Sequence, residues 1–136
     1  MTAWLSALTP SARLALLGQQ HVIERFPFRV GLESRLGGTV RTNATERRGG
    51  TGAQQVNDLY VFDSGGEVVQ VSREHFQIEQ QGSEYVLVDR ASACGTIVEG
   101  QRVGGDRAGG SVVLHDHDVI IVGDEDSPFV FKFRVG

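Results

Sequence analysis

The sequence predicts an all-β fold, a sandwich of stacked sheets with one short helix near the N-terminus. Three observations carry this. Short apolar runs recur along the chain. Two segments, around Phe28 and around Phe131, alternate apolar and polar residues with a period of two. The 18 glycines lie mostly between the apolar runs, as in many strands joined by turns.

Taken in order, the elements begin with the helix. Thr9 can cap it, Pro10 suits its first position and Gly18 can stop it, while Leu14 and Leu17 offer an apolar side. The expectation is a helical arm over residues 1–19, packed on the edge of a domain spanning residues 20–136. Phe26, Phe28 and Val30 then alternate with Arg25, Pro27 and Arg29. Leu59 to Phe62 is a short apolar run, as in a strand buried on both sides. Phe76 and Ile78 alternate with polar neighbours, and Tyr85 to Val88 is continuous. Ile97-Val98, Val112 to Leu114 and Val119 to Val122 are further short candidates. In the last strand Phe129, Phe131, Phe133 and Val135 face one way, and Lys132 and Arg134 the other. Such spacing argues for a sandwich rather than alternating helix and strand.

Residues 36–55 break the pattern. The stretch is rich in Gly, Thr and Arg and nearly empty of large apolar side chains, so it cannot bury enough surface to offset its ordering entropy. It reads as a long mobile loop. Five arginines and two glutamates between Arg29 and Arg48 give this region a charge of +3 inside an acidic protein, which reads first as a solvated loop and alternatively as an anion-attracting rim for a ligand site.

A chain of 136 residues fits one domain and can bury a core without staples. Its net charge of −4 gives no drive toward nucleic acid. No apolar run approaches the roughly 20 residues that span a membrane. The single cysteine, Cys94, cannot form an internal disulfide, which points to a reducing, cytoplasmic compartment.

Four blocks lie in a telling order: Phe26-Pro27-Phe28-Arg29-Val30-Gly31, Asn57-Asp58-Leu59, Ser72-Arg73-Glu74-His75 and Asp89-Arg90-Ala91-Ser92-Ala93-Cys94-Gly95-Thr96. Leu114 to Asp118 and Val119 to Gly123 follow. Together these resemble the forkhead-associated (FHA) domain, from about Gln20 to Val135. The resemblance implies a β-sandwich of two twisted, mostly antiparallel sheets, with a phosphothreonine-peptide site built from loops at one end. The chemistry is coherent. A phosphate monoester carries nearly two negative charges and several strong acceptor oxygens. It needs a guanidinium, hydroxyls and backbone N–H groups converging on one point.

By the resemblance, Ser72 supplies a phosphate-contacting hydroxyl and Arg73 lies beside the bound peptide. Cys94 and Thr96 stand at peptide-contacting positions. Gly31, His75, Ser92 and Gly95 support the site, with His75 bracing loops and Gly95 meeting a backbone need. The sequence also departs from the family pattern. Leu32 stands where an arginine usually follows the glycine. Cys94 replaces a common asparagine, Glu99 another, and Ala93 a common threonine. These changes predict weakened phosphate affinity, with Arg35 as the substitute cation. The alternative is a phosphate-independent scaffold or assembly domain on the same fold.

His115-Asp116-His117-Asp118 has the composition of a metal cluster but matches the family's turn before a strand, so no metal is expected. The 17 acidic residues are scattered, no phosphate-cradling glycine pattern occurs and Cys94 has no evident base; no enzyme and no cofactor are expected. The expected partner is a protein or phosphorylated peptide, not nucleic acid or membrane. Thr39, Thr42, Thr45 and Thr51 lie in the basic stretch. A kinase acting there would create a ligand for a neighbouring copy, giving self-association.

Overall fold

The period-two segments become the centre of the molecule. In the computed structural model, which describes residues 2–33, 57–63 and 69–136, eleven strands and one helix follow one another. They are β1 (Ala3–Ala7), α1 (Pro10–Leu16), β2 (Gln20–Ile23), β3 (Phe28–Leu32), β4 (Leu59–Val61) and β5 (Phe76–Gln81). Then come β6 (Glu84–Asp89), β7 (Thr96–Val98), β8 (Gln101–Val103), β9 (Gly110–Leu114), β10 (Val119–Val122) and β11 (Val130–Val135). One sheet has the order β2-β1-β11-β10-β7-β8, the other β4-β3-β5-β6-β9. Pairing is antiparallel except between β3 and β4, which run parallel. The expected mostly antiparallel sandwich is what forms.

Alternation decides which side chains meet between the sheets. Leu5, Ile120, Phe131 and Phe133 project inward from the first sheet, and Val30, Phe76, Ile78 and Leu87 from the second; all are fully buried. Tyr85 of β6 meets Phe133 of β11 edge-on, ring centroids 5.3 Å apart, across the interface. Burying each such side chain contributes on the order of 2 kcal/mol, and this shared core holds the sheets in one relation.

The N-terminus corrects the expected domain boundary. The described part of that segment, residues 2–19, is not an arm outside the domain. Ala3–Ala7 lies inside the six-stranded sheet, paired with β11 on one side and β2 on the other. Ala3 and Leu5 face the core, and this alternation is enough once partners are present on both sides. Helix α1 starts as expected, with the Thr9 hydroxyl accepting from the Ala12 N–H at 3.2 Å and Pro10 following. Its polarity is the reverse of expectation. Ala12 and Leu16 bury, while Leu14 is 74% and Leu17 92% exposed. A two-residue step turns a helix by roughly 200°, so Leu14 must point away once Leu16 faces inward. Leu17, not Gly18, takes the left-handed closing conformation, at φ 57°.

The expected loop over residues 36–55 and the threonines within it lie outside the described residues. No helix among the described residues is long and apolar enough to cross a membrane.

Candidate functional site

Three chain segments converge at one end of the sandwich: Gly31–Glu33 leaving β3, Ser72–His75 entering β5 and Ser92–Gly95 entering β7. Backbone hydrogen bonds fix the first two together. Leu32 N–H donates to Ser72 O at 2.9 Å, and His75 N–H donates to Val30 O at 3.0 Å. The approach is so close that a Cβ on Gly31 would sit 2.0 Å from the Arg73 carbonyl oxygen, so only glycine fits there without displacing the segment. Asn57, fully buried, clamps the same carbonyl from below with its side-chain amide at 2.7 Å. Arg90 in turn donates to Asn57 Oδ1 at 2.8 Å and to Glu74 Oε1 at 3.0 Å.

His75 joins the second segment to the third. Its Nδ1 accepts from the Ser72 N–H at 2.9 Å, so the ring proton resides on Nε2, which donates to Gly95 O at 2.7 Å. The ring is fully buried. Burial pushes its pKa below the ordinary histidine value, opposed by the Gly95 carbonyl and the nearby Asp89 carboxylate. The consequence for stability has a definite sign. The folded pKa is depressed, so as pH falls the unfolded chain takes up the proton first. The contribution of neutral His75 is whole above the unfolded value of about 6.5 and is lost progressively below it. The denaturant midpoint is therefore expected to fall between pH 7.5 and pH 5.5. A ring resonance of His75 titrating at or above 6.5 in the folded protein would contradict this.

Asp89 organises the third segment. Its carboxylate accepts from the Ser92 N–H at 2.8 Å, the Ser92 hydroxyl at 2.7 Å and the Thr96 hydroxyl at 2.8 Å. The Ser92 hydroxyl oxygen accepts in turn from the Gly95 N–H at 3.0 Å. Buried side-chain bonds thus hold the turn together with backbone bonds, in which the Asp106 N–H donates to Ala93 O, the Arg107 N–H to Ser92 O and the Gly123 N–H to Gly95 O, each at 2.9 Å. Across it, Ser72 Oγ accepts from the Ala93 N–H at 3.0 Å. That bond orients the Ser72 hydroxyl and leaves its hydrogen without an acceptor among the described residues. Beside it, Arg73 is exposed, and its guanidinium has no hydrogen-bond or ion-pair partner among the described residues.

The structure therefore brings Ser72, Arg73, Gly31, His75, Ser92, Cys94 and Gly95 to one loop cluster. Thr96 requires a correction. It was expected to contact peptide, but it is fully buried and its hydroxyl is given to Asp89. Strand alternation turns it inward with Val98, so it braces the turn from inside. Arg35 lies outside the described residues. Cys94 is half-buried with its thiol directed at Val69 O, 3.6 Å away. Burial raises its pKa, helped by Asp124, Asp63 and Asp106 and opposed by Arg102, and a raised thiol is a poor nucleophile near neutral pH. His115 to Asp118 forms the turn between β9 and β10. Asp118 accepts from the His115 N–H at 2.8 Å, and Asp116 from Arg134 Nε at 3.0 Å and the Val135 N–H at 2.8 Å.

Sequence reasoning missed three members of the cluster's frame and rim. Asn57 and Asp89 stood in the quoted blocks, yet nothing local marks which backbone groups they hold. Arg102 stood between Gly100 and the Gly104-Gly105 pair, a hairpin signal that would have returned it toward Gly95.

Comparison with known proteins agrees with this fold. The family model of the FHA domain matches residues 50–123, more than half of the chain. No curated protein matches the chain. Among solved structures, the FHA domain of the CT664 protein from Chlamydia trachomatis superposes with a TM-score of 0.62 at 17% identity, covering 100% of this chain and 99% of that one. EmbR of Mycobacterium tuberculosis, in complex with a low-affinity phosphopeptide, gives 0.59 at 21%, covering 99% of this chain. This chain spans only 24% of the EmbR chain. The N-terminal FHA domain of S. cerevisiae Rad53p, in complex with a phosphothreonine peptide, gives 0.58 at 14%, covering 100% and 94%.

Proposed function

The chain belongs to the FHA domain family, and from that premise we propose that it is a protein-interaction module, not an enzyme, which grips a phosphothreonine-bearing segment of a partner. One observation carries the proposal. The Ser72 hydroxyl is held by the Ala93 N–H, its hydrogen has no acceptor among the described residues, and the next residue, Arg73, is exposed with a guanidinium that has no partner among them. A hydroxyl donor and a cation on a rigid base are what a phosphate dianion requires, and their prior ordering lowers the entropy lost on binding. Cys94 flanks the peptide's path in this reading, and Arg35 stands in for the arginine absent at Leu32. Two solved structures of similar fold hold phosphorylated peptides, which supports the ligand class. The lone cysteine supports a reducing, cytoplasmic compartment.

Leu32 favours a second reading. Its side chain packs against the core instead of presenting a charge. On that reading the same loops recognise an unmodified partner, and the domain is a scaffold.

Calorimetric titration of matched phosphorylated and unmodified threonine peptide pools separates the two. The first reading expects binding of the phosphorylated pool alone, weakening from 50 to 300 mM salt as exposed charge contacts are screened. Equal affinity for both pools, insensitive to salt, would establish the second.

A further inference from the structure

The Ala93–Gly95 turn has differently charged flanks. On the Cys94 thiol side lie Val69, Gln70, Asp63 and Asp124. These carboxylates are engaged by backbone: Asp63 accepts from the Gln70 and Val71 N–H groups at 2.7 and 3.2 Å, and Asp124 from the Asp126 N–H at 2.8 Å. Asp124 itself is tied to this side by its N–H, which donates to Gln70 Oε1 at 2.9 Å. On the other side, Arg102 of β8 pairs with Ile97 of β7 and returns over the turn. Its Nε donates to Gly104 O at 3.3 Å. The guanidinium lies close against the glycine backbone at Gly105. A Cβ on Gly105 would sit 2.2 Å from Nη2, and one on Gly95 would sit 3.4 Å from Nε.

Gly105 thus leaves room for this one side chain, and no carboxylate among the described residues pairs with it. No carboxylate there lies within ion-pair distance of Arg102, and its two terminal nitrogens make no hydrogen bond. Asp106, whose N–H is bound by Ala93 O, is on the same side and makes no ion pair with it. A planar fork held by its Nε, with its outer donors open, suits bidentate capture of a carboxylate.

From this geometry we infer that Arg102 is a specificity-determining residue, which selects partner segments carrying an aspartate or glutamate a few residues from the phosphothreonine. The inference rests on the phosphopeptide reading of the Ser72 site. The spacing follows from the chain itself. Ser72 touches Ala93, and Arg102 touches Gly95, two Cα steps of about 3.8 Å further on. The whole path is at most roughly 16 Å, which about five residues of extended peptide span.

The test is a set of phosphothreonine peptides in which aspartate, alanine or lysine is scanned through five positions on each side, titrated against the intact chain. Wild type is expected to prefer aspartate over lysine by about tenfold at one position within that span. Arg102→Glu is expected to reverse the preference at that position alone, and Arg102→Lys to keep its direction with a smaller ratio. Lys132→Ala, on the outer face of the six-stranded sheet, should rank the peptides as wild type does. If wild type binds these peptides but Arg102→Glu ranks them as wild type does, the inference is overturned while the proposed function stands. If wild type binds none of them, both fall.

Discussion

Replacing Leu32 with arginine is expected to raise affinity for a phosphothreonine peptide by roughly ten- to a hundredfold. The position is already set for it. Leu32 N–H donates to Ser72 O at 2.9 Å, and the strand pairs Leu32 with Val61, so the backbone at this residue cannot drift from the serine. A guanidinium there adds a charge-assisted hydrogen bond, a contribution of about 1.5–3 kcal/mol. The leucine is only partly buried, and the aliphatic stem of arginine can cover the same apolar surface, so the loss of core contact is small. Calorimetry of the Leu32→Arg variant with one phosphopeptide and its unmodified twin checks this. A steeper salt dependence should accompany the gain, since one more phosphate contact is made. An unchanged, undetectable affinity would mean that the Ser72 and Arg73 groups do not form a phosphate site, and would favour the scaffold reading.

The second large effect is expected at Asp89, far less exposed than any ligand-facing group. Asp89→Ala removes the common acceptor of the Ser92 N–H, the Ser92 hydroxyl and the Thr96 hydroxyl. These donors are buried, and water does not readily replace the carboxylate. Each stranded donor costs about 1–3 kcal/mol, and the two hydroxyls can partly rotate to other acceptors, so a net loss of roughly 3 kcal/mol is expected. That corresponds to a fall in Tm on the order of 10 °C for a domain of this size. The loss should not be uniform. The turn that presents Ala93 to Ser72 and Gly95 to His75 rests on Asp89, so its amides should lose hydrogen-exchange protection before those of β5 and β6. A variant as stable as wild type, with protection at Gly95 intact, would show that backbone bonding alone holds the turn.

Much of the fold was legible because the signal is carried by side-chain alternation. Phe129, Phe131 and Phe133 identify β11 without reference to any neighbour, and Phe76 and Ile78 identify β5. The strands that escaped notice are those whose residues do not insist on being strands. Gln101-Arg102-Val103 is extended because β7 pairs with it, and Gln20 to Ile23 because β1 does. Ala3–Ala7 carries a period of two, but alanine is too small to mark it, and the nearby Thr9-Pro10 cap drew the whole segment toward helix. The same distinction runs through the site. Ser72 and His75 sit in a compact block and could be found from its resemblance to the family pattern. Thr96 was legible in principle, since a strand that buries Val98 must bury Thr96 as well. The roles of Asn57 and Asp89 depend on which carbonyl and amide groups the fold brings to them, and those partners come from other loops. Arg102 acquires its position only after β8 has turned back toward Gly95.

The central claim is spatial: recognition takes place where the β3, β4–β5 and β6–β7 segments meet. Amide chemical-shift mapping during titration with a phosphothreonine peptide tests it most directly. The account predicts that Ser72, Arg73, Ala93 and Cys94 shift together and early, while the unmodified peptide moves them little. Shifts confined to another face, such as α1 or the outer side of β9, with these four amides still, would contradict it.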